Sequence, residues 1–198
     1  MILSTKSIKK FKPYIFISLL TPSIVWLYQF IAGNLGINPI DELMDKLGEF
    51  ALQLIILTLF VSSLSNFKIL RSLQLVRRMI GLFSFFYIVL HFITYIFLDH
   101  FFNWEFILKD LYKRPFILLG FISFVLLIPL AITSNNYMLK KLRYKLWKNI
   151  HKLIYLVSIL VIFHYFLLTK SDAIYPLIYL ILILILLGWR LIQKIIKN

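Results

Sequence analysis

Six apolar stretches, each close to the length of a bilayer-crossing helix, constrain this chain more than any other feature. They cover residues 14–32, 48–66, 79–98, 115–134, 151–169 and 175–192. A helix needs roughly 20 apolar residues to cross a hydrocarbon core about 30 Å thick. In lipid every backbone N–H and C=O must be bonded internally, which makes helices the expected form. Of the 198 residues, 61% are hydrophobic, and a water-soluble domain of that length could not bury so much apolar surface. The sequence therefore reads as an all-α membrane protein, a six-transmembrane-helix bundle formed by a single domain, 1–198.

The breaks between the stretches fit local chemistry. The run GNLGINP separates the first two. Pro115 suits the first turn of the fourth helix. Ser171 and Asp172 can cap the sixth, just before Pro176. Pro22 and Pro129 fall inside the first and fourth helices and predict kinks. The opening MILSTKSIKKFKP is basic and runs into apolar sequence, as a signal peptide does, but no small-residue cleavage site follows, so it is read as the start of helix one.

Charge sorts by loop. The amino terminus carries Lys6, Lys9, Lys10 and Lys12, and the second loop Lys68, Arg71, Arg77 and Arg78. The fourth loop carries Lys140, Lys141, Arg143, Lys145, Lys148 and Lys152, and the tail Arg190, Lys194 and Lys197. All eight acidic residues fall in the other three loops or at their helix edges. Cations concentrate on cytoplasmic loops, so both termini are expected in the cytoplasm. The net charge of +14 is then a topology signal, helped by anionic membrane lipid, and no nucleic-acid partner is implied. The chain has no cysteine, which excludes disulfides, thiolate metal sites and iron–sulfur clusters.

The four histidines are His91, His100, His151 and His164. An ionisable side chain is costly at membrane depth and survives there with a partner inside the bundle. His91 lies 14 residues past Arg77, about 21 Å along a helix at 1.5 Å per residue. His164 lies 13 residues past His151, or about 20 Å. His91 and His164 thus share a level on separate helices, as two ligands of a metal or heme iron would. Fourteen residues at roughly 100° each put Arg77 and His91 on similar faces, whereas thirteen leave His151 and His164 about 140° apart on an ideal helix. Periodicity alone therefore does not place the latter pair on one face.

Plainer readings stand beside these. A membrane histidine can simply bond a backbone carbonyl or a Ser or Thr hydroxyl. His151 sits near the interface beside Lys152, where polar residues are common, and His100 after Asp99 reads as a solvated loop residue. Arg77 and Arg78 could hold a heme propionate or flavin phosphate by bidentate bonds, or merely set orientation. Trp147 could line a cofactor edge or belong to an interfacial belt. The Phe-rich run 83–86 reads as lipid-facing packing, and the acidic patch 41–49 as a candidate docking surface.

The stretches RRMIGLFSFFYIVLHFITY, KRPFILLGFISF and PLAITSNNYMLKKLRYKLWKNIHKLIYLVSILVIFHYF resemble the heme-binding membrane subunit of the bacterial periplasmic protein-methionine-sulfoxide reductase system, within the ferric-reductase-like transmembrane superfamily. The resemblance runs from about residue 10 to 170 and rests on R-R-x-x-G, the later His91, the R-P opening at Arg114 and W-x3-H-x12-H from Trp147 to His164. It implies that His91, His151 and His164 are heme-associated, that heme b is the cofactor, and that the H-x12-H spacing is accepted on this helix. Larger relatives carry a second histidine on the third helix. Arg77 takes that place here, which leaves His151 without an obvious partner. The family is also associated with FMN, for which Arg77 and Arg78 are the suspected contacts.

What the resemblance implies functionally is a multi-pass subunit of the bacterial inner membrane. Electrons would come from quinol or a cytoplasmic flavin reductase, since the chain ends at Asn198 with no room for the flavin and nicotinamide domains of larger relatives. They would leave to a periplasmic molybdopterin-containing methionine sulfoxide reductase that repairs oxidised envelope proteins. The alternative is a six-helix transporter or membrane-assembly factor without heme, which inverted repeats would favour; no clear internal repeat is visible in the sequence. A third reading, a self-contained metal reductase, lacks a nicotinamide-binding domain.

Overall fold

The structure, a computed structural model, describes residues 5–65, 67–169 and 173–197. All its regular elements are helical: α1 (Thr5–Ile31), α2 (Pro39–Leu64), α3 (Gln74–Ile93), α4 (Trp104–Lys113), α5 (Pro115–Ile132), α6 (Asn136–Lys141), α7 (Tyr144–His151), α8 (Leu153–Leu168) and α9 (Ile174–Lys197). A 3-10 turn, Lys68–Leu73, leads into α3, and a π-helical turn, Thr94–Asp99, continues it. Six segments are long and apolar enough to cross a membrane: Ile8–Ile31, Pro39–Leu64, Gln74–Asp99, Pro115–Ile132, Tyr144–Leu168 and Ile174–Gln193. They match the six expected stretches.

The helices extend beyond the apolar stretches because their first turns are polar. α2 starts at Pro39, whose missing N–H costs nothing at a helix start, and carries Asp41 and Glu42 in its first turn, where the helix dipole favours negative charge. The turn before it uses Gly33 at φ 70° and Gly36 at φ 114°, left-handed backbone that glycine adopts without a Cβ clash. Pro115 opens α5 as expected. Both α1 and α5 run on through Pro22 and Pro129. The Ser171–Asp172 cap lies outside the described residues. The amphipathic α4 and the short α6 arise in segments read from sequence as loops.

The contacts group into two compact units, residues 1–107 and 108–198. In the first, α2 and α3 pack along their length, with Ala51, Ile55, Leu59 and Tyr87 almost wholly inside. Ser84 donates from α3 to the Ala51 carbonyl at 3.0 Å, a contact that small residues at the interface permit. An aromatic group fills the space toward α1: Tyr87 lies 4.7 Å from Phe50 and 6.1 Å from Trp26. Phe83 is buried and meets Phe16 edge-on at 5.0 Å. The run 83–86 is therefore partly core rather than wholly lipid-facing. In the second unit α5 packs on α8, and Val157, Ser158, Ile162 and Ile183 are closed from the surroundings. Arg190 of α9 donates to the Tyr155 hydroxyl of α8 and stands over its ring at 5.2 Å. Many large apolar side chains face outward, among them Ile31, Leu184, Ile185 and Ile195, an arrangement that suits hydrocarbon and not water.

Candidate functional site: two histidine seats

α3 brings His91 against α2. Its Nδ1 lies 2.9 Å from the Met44 carbonyl oxygen. A carbonyl can only accept, so Nδ1 carries the proton and donates, which leaves the lone pair on Nε2. The ring rests on Gly48, one turn after Met44. A Cβ at Gly48 would lie 3.0 Å from His91 Nδ1 and 3.1 Å from its Cε1.

The second unit repeats this arrangement. α8 brings His164 against α5, with Nδ1 2.6 Å from the Phe116 carbonyl oxygen. A Cβ at Gly120, again one turn after the residue whose carbonyl accepts, would lie 2.9 Å from His164 Nδ1 and 3.0 Å from Cε1. In each hairpin the second helix supplies the histidine and the first supplies the acceptor carbonyl and the glycine. Both imidazoles are therefore held in the same tautomer by a backbone carbonyl.

The likeness extends to the other end of each hairpin. Arg77 donates from Nη1 to the Ser62 hydroxyl at 3.0 Å, tying α3 to the last turns of α2. His151 Nε2 lies 3.1 Å from the Thr133 hydroxyl at the end of α5.

His151 differs from the other two histidines. The Thr133 hydroxyl also donates to the Pro129 carbonyl at 2.7 Å. Having a single hydrogen, it then accepts from His151 Nε2. Trp147 lies over the His151 ring at 4.2 Å and donates from Nε1 to the Thr133 carbonyl at 3.1 Å. Trp147, His151 and Thr133 together latch α7 to α5. The 140° offset computed for an unbroken helix does not apply, because the helix breaks at Lys152 between α7 and α8.

Arg78 is not turned the same way as Arg77. It lines a groove of about 520 Å³ between α1 and α3, with Lys12 and apolar residues including Phe16, Met79 and Phe83. His100, expected as a solvated loop residue, is half-buried: its ring meets Tyr95 edge-on at 4.6 Å, and its backbone N–H closes the π turn on the Tyr95 carbonyl at 3.2 Å. The acidic patch is partly self-paired, with Glu42 3.4 Å from Lys46. No cluster of three or more His, Asp or Glu side chains able to hold a metal ion occurs among the described residues. Sequence reasoning missed Met44, Gly48, Phe116 and Gly120. The available signal was a glycine inside an apolar span, where alanine is the better helix former.

The family described as ferric reductase like transmembrane component matches residues 46–162. The chain is 39% identical over 169 residues to the protein-methionine-sulfoxide reductase heme-binding subunit MsrQ of Caulobacter vibrioides, covering 85% of this chain and 80% of that protein. It is 44% identical over 154 residues to the protein of the same name from Herminiimonas arsenicoxydans, covering 78% and 71%. It is 37% identical over 194 residues to that of Azospira oryzae, covering 98% and 83%. With six apolar helices of membrane length, this kinship makes the chain a multi-pass protein of the bacterial inner membrane. The chain belongs to the ferric reductase-like transmembrane family and, within it, to the bacterial MsrQ subunits of protein-methionine-sulfoxide reductase.

Proposed function

We propose that this chain is a membrane electron-transfer subunit that holds heme b on His91 and His164 and passes electrons across the inner membrane to a periplasmic, molybdopterin-containing methionine sulfoxide reductase. One observation carries the reading: the seat in which Nδ1 donates to a backbone carbonyl over a glycine is built twice, at His91 and at His164. A neutral imidazole protonated at Nδ1 is the form that ligates iron through Nε2, and a hydrogen bond at Nδ1 fixes the ring and strengthens Nε2 as a donor. Bound there, heme supplies a one-electron carrier whose potential is tuned by its axial ligands and burial.

The chain's own residues hold and orient. Met44 and Phe116 fix the proton on each Nδ1, and the apolar helices keep water from the imidazoles. Arg77 and the His151–Thr133 pair brace the opposite ends of the hairpins. His151 would have to exchange its Thr133 contact to ligate iron through Nε2, so it is the weaker candidate ligand. For FMN, implied by the resemblance, a phosphate fits the groove lined by Lys12 and Arg78 better than Arg77, which is turned to Ser62. The termini and basic loops lie in the cytoplasm by the distribution of cations, which gives quinol or a flavin reductase the inner face from which to donate. Substrate reduction takes place in the partner.

The test is a reduced-minus-oxidised optical spectrum and a pyridine hemochrome count on the purified protein. Wild type should show a low-spin b-type spectrum, and His91→Ala and His164→Ala should each lose heme. A colourless wild type that remains colourless when offered haemin would overturn the proposal.

A further inference from the structure

We infer that Gly48 and Gly120 are positioning residues for the two imidazoles, selected by the space a ring needs and not by backbone freedom; the inference rests on the heme reading above. Both glycines sit inside helices, α2 and α5, and neither is among the positive-φ glycines, which are Gly33 and Gly36. By helix propensity alone alanine would be preferred at both sites. What excludes it is the neighbour. A Cβ at Gly120 would stand 2.9 Å from His164 Nδ1, and one at Gly48 3.0 Å from His91 Nδ1. The atom met is a ring nitrogen tethered to the carbonyl of the residue four positions earlier, Phe116 or Met44. It cannot retreat without breaking that bond.

Glycine and carbonyl therefore act as one device. The carbonyl accepts the hydrogen bond from Nδ1–H, and the missing side chain leaves the ring room to donate it. The helix backbone thus sets the tautomer and the aim of Nε2. The other two glycines within spans supply built-in controls. A Cβ at Gly188 meets nothing within 4 Å, and one at Gly81 meets Thr58 at 3.6 Å, an ordinary contact.

The experiment compares Gly48→Ala, Gly120→Ala, Gly81→Ala and Gly188→Ala in the purified full chain. Heme retention should fall roughly 10–100-fold in the first two, the range seen when a ligand's outer partner is lost. Their low-spin electron paramagnetic resonance signals should shift, and their midpoint potentials should rise, because an imidazole without its Nδ1 bond stabilises ferric iron less. Gly81→Ala and Gly188→Ala should match wild type. A second readout needs no heme. In apo-protein Gly120→Ala should lower the unfolding temperature, and the same change made in a His164→Ala background should not, since the ring it strikes is gone. Wild-type retention, resonance and potential in both seat variants would overturn the inference while leaving the heme reading intact. A wild type that binds no heme would overturn the heme reading, and an uncoupled Gly120–His164 pair would separately remove the steric basis of this one.

Discussion

The Tyr87 hydroxyl donates to the Leu19 carbonyl oxygen at 2.7 Å, and the hydroxyl oxygen itself accepts from the Ser23 N–H at 3.1 Å. Leu19 and Ser23 are the pair that an α-helical ladder would join to each other. Between them sits Pro22, which has no N–H to offer the preceding turn. A side chain of α3 thus enters the backbone ladder of α1 where proline has already opened it, one of the recognised causes of helix bending. Tyr87→Phe keeps the ring against Phe50 and Trp26 but removes the bridge. The expected cost is about 1 kcal/mol, since α1 can partly re-form its own bond. Thermal unfolding in detergent checks this, and an unchanged unfolding temperature would show that the bridge is energetically idle.

His100 is the histidine whose removal should leave heme in place. It is tied to Tyr95 by an edge-on ring contact and closes the π turn through its backbone. His100→Ala should therefore cost about 1 kcal/mol, as the loss of an aromatic pair does, while the pyridine hemochrome count stays at the wild-type value. A large heme loss in this variant would overturn the assignment of His91 and His164.

Much of the fold was legible because lipid leaves few alternatives: span length and internal backbone bonding each limit the answer independently. The helical wheel also gave a correct relation between Arg77 and His91, both of which bond residues of α2. It failed for His151 and His164 because it presumes an unbroken helix, and the chain breaks at Lys152. The seats themselves left almost no trace in the sequence. Met44 and Phe116 contribute backbone carbonyls, which any residue carries, and Gly48 and Gly120 contribute an absence. A repeat written in such groups shows only when the helices are packed. His100 was misjudged for a related reason: the π turn that pulls it against Tyr95 has no composition signature.

Thr133 joins α5 to α7 twice, through its hydroxyl to His151 and its carbonyl to Trp147. Thr133→Val keeps the shape and the carbonyl but removes the hydroxyl. A polar pair within membrane helices contributes about 0.6 kcal/mol on average, so the unfolding temperature should fall slightly. His151→Ala should cost more, because it also removes the ring under Trp147, and Thr133→Val should add little further loss in that background, where the hydroxyl–imidazole contact is already gone. Heme content separates the latch from ligation. A latch role predicts that His151→Ala retains the heme proposed at His91 and His164. Loss of a distinct spectral component would instead make His151 a ligand that gives up Thr133 for iron.

Orientation can be read directly because the chain has no cysteine of its own, so a single introduced thiol reports one position without background. Asn34 lies exposed in the turn between α1 and α2, and Lys140 lies exposed on α6. One crossing, α1, separates the amino terminus from Asn34, and four separate it from Lys140. The cation distribution predicts cytoplasmic termini, and on that prediction Asn34→Cys should react with a membrane-impermeant maleimide added to spheroplasts and Lys140→Cys only after the membrane is opened. The reverse pattern would place the basic loops outside and overturn the proposed direction of electron flow. Labelling of both in intact spheroplasts would require an even number of crossings between α1 and α6 where the six-span topology has three, α2, α3 and α5, and so would break that topology itself.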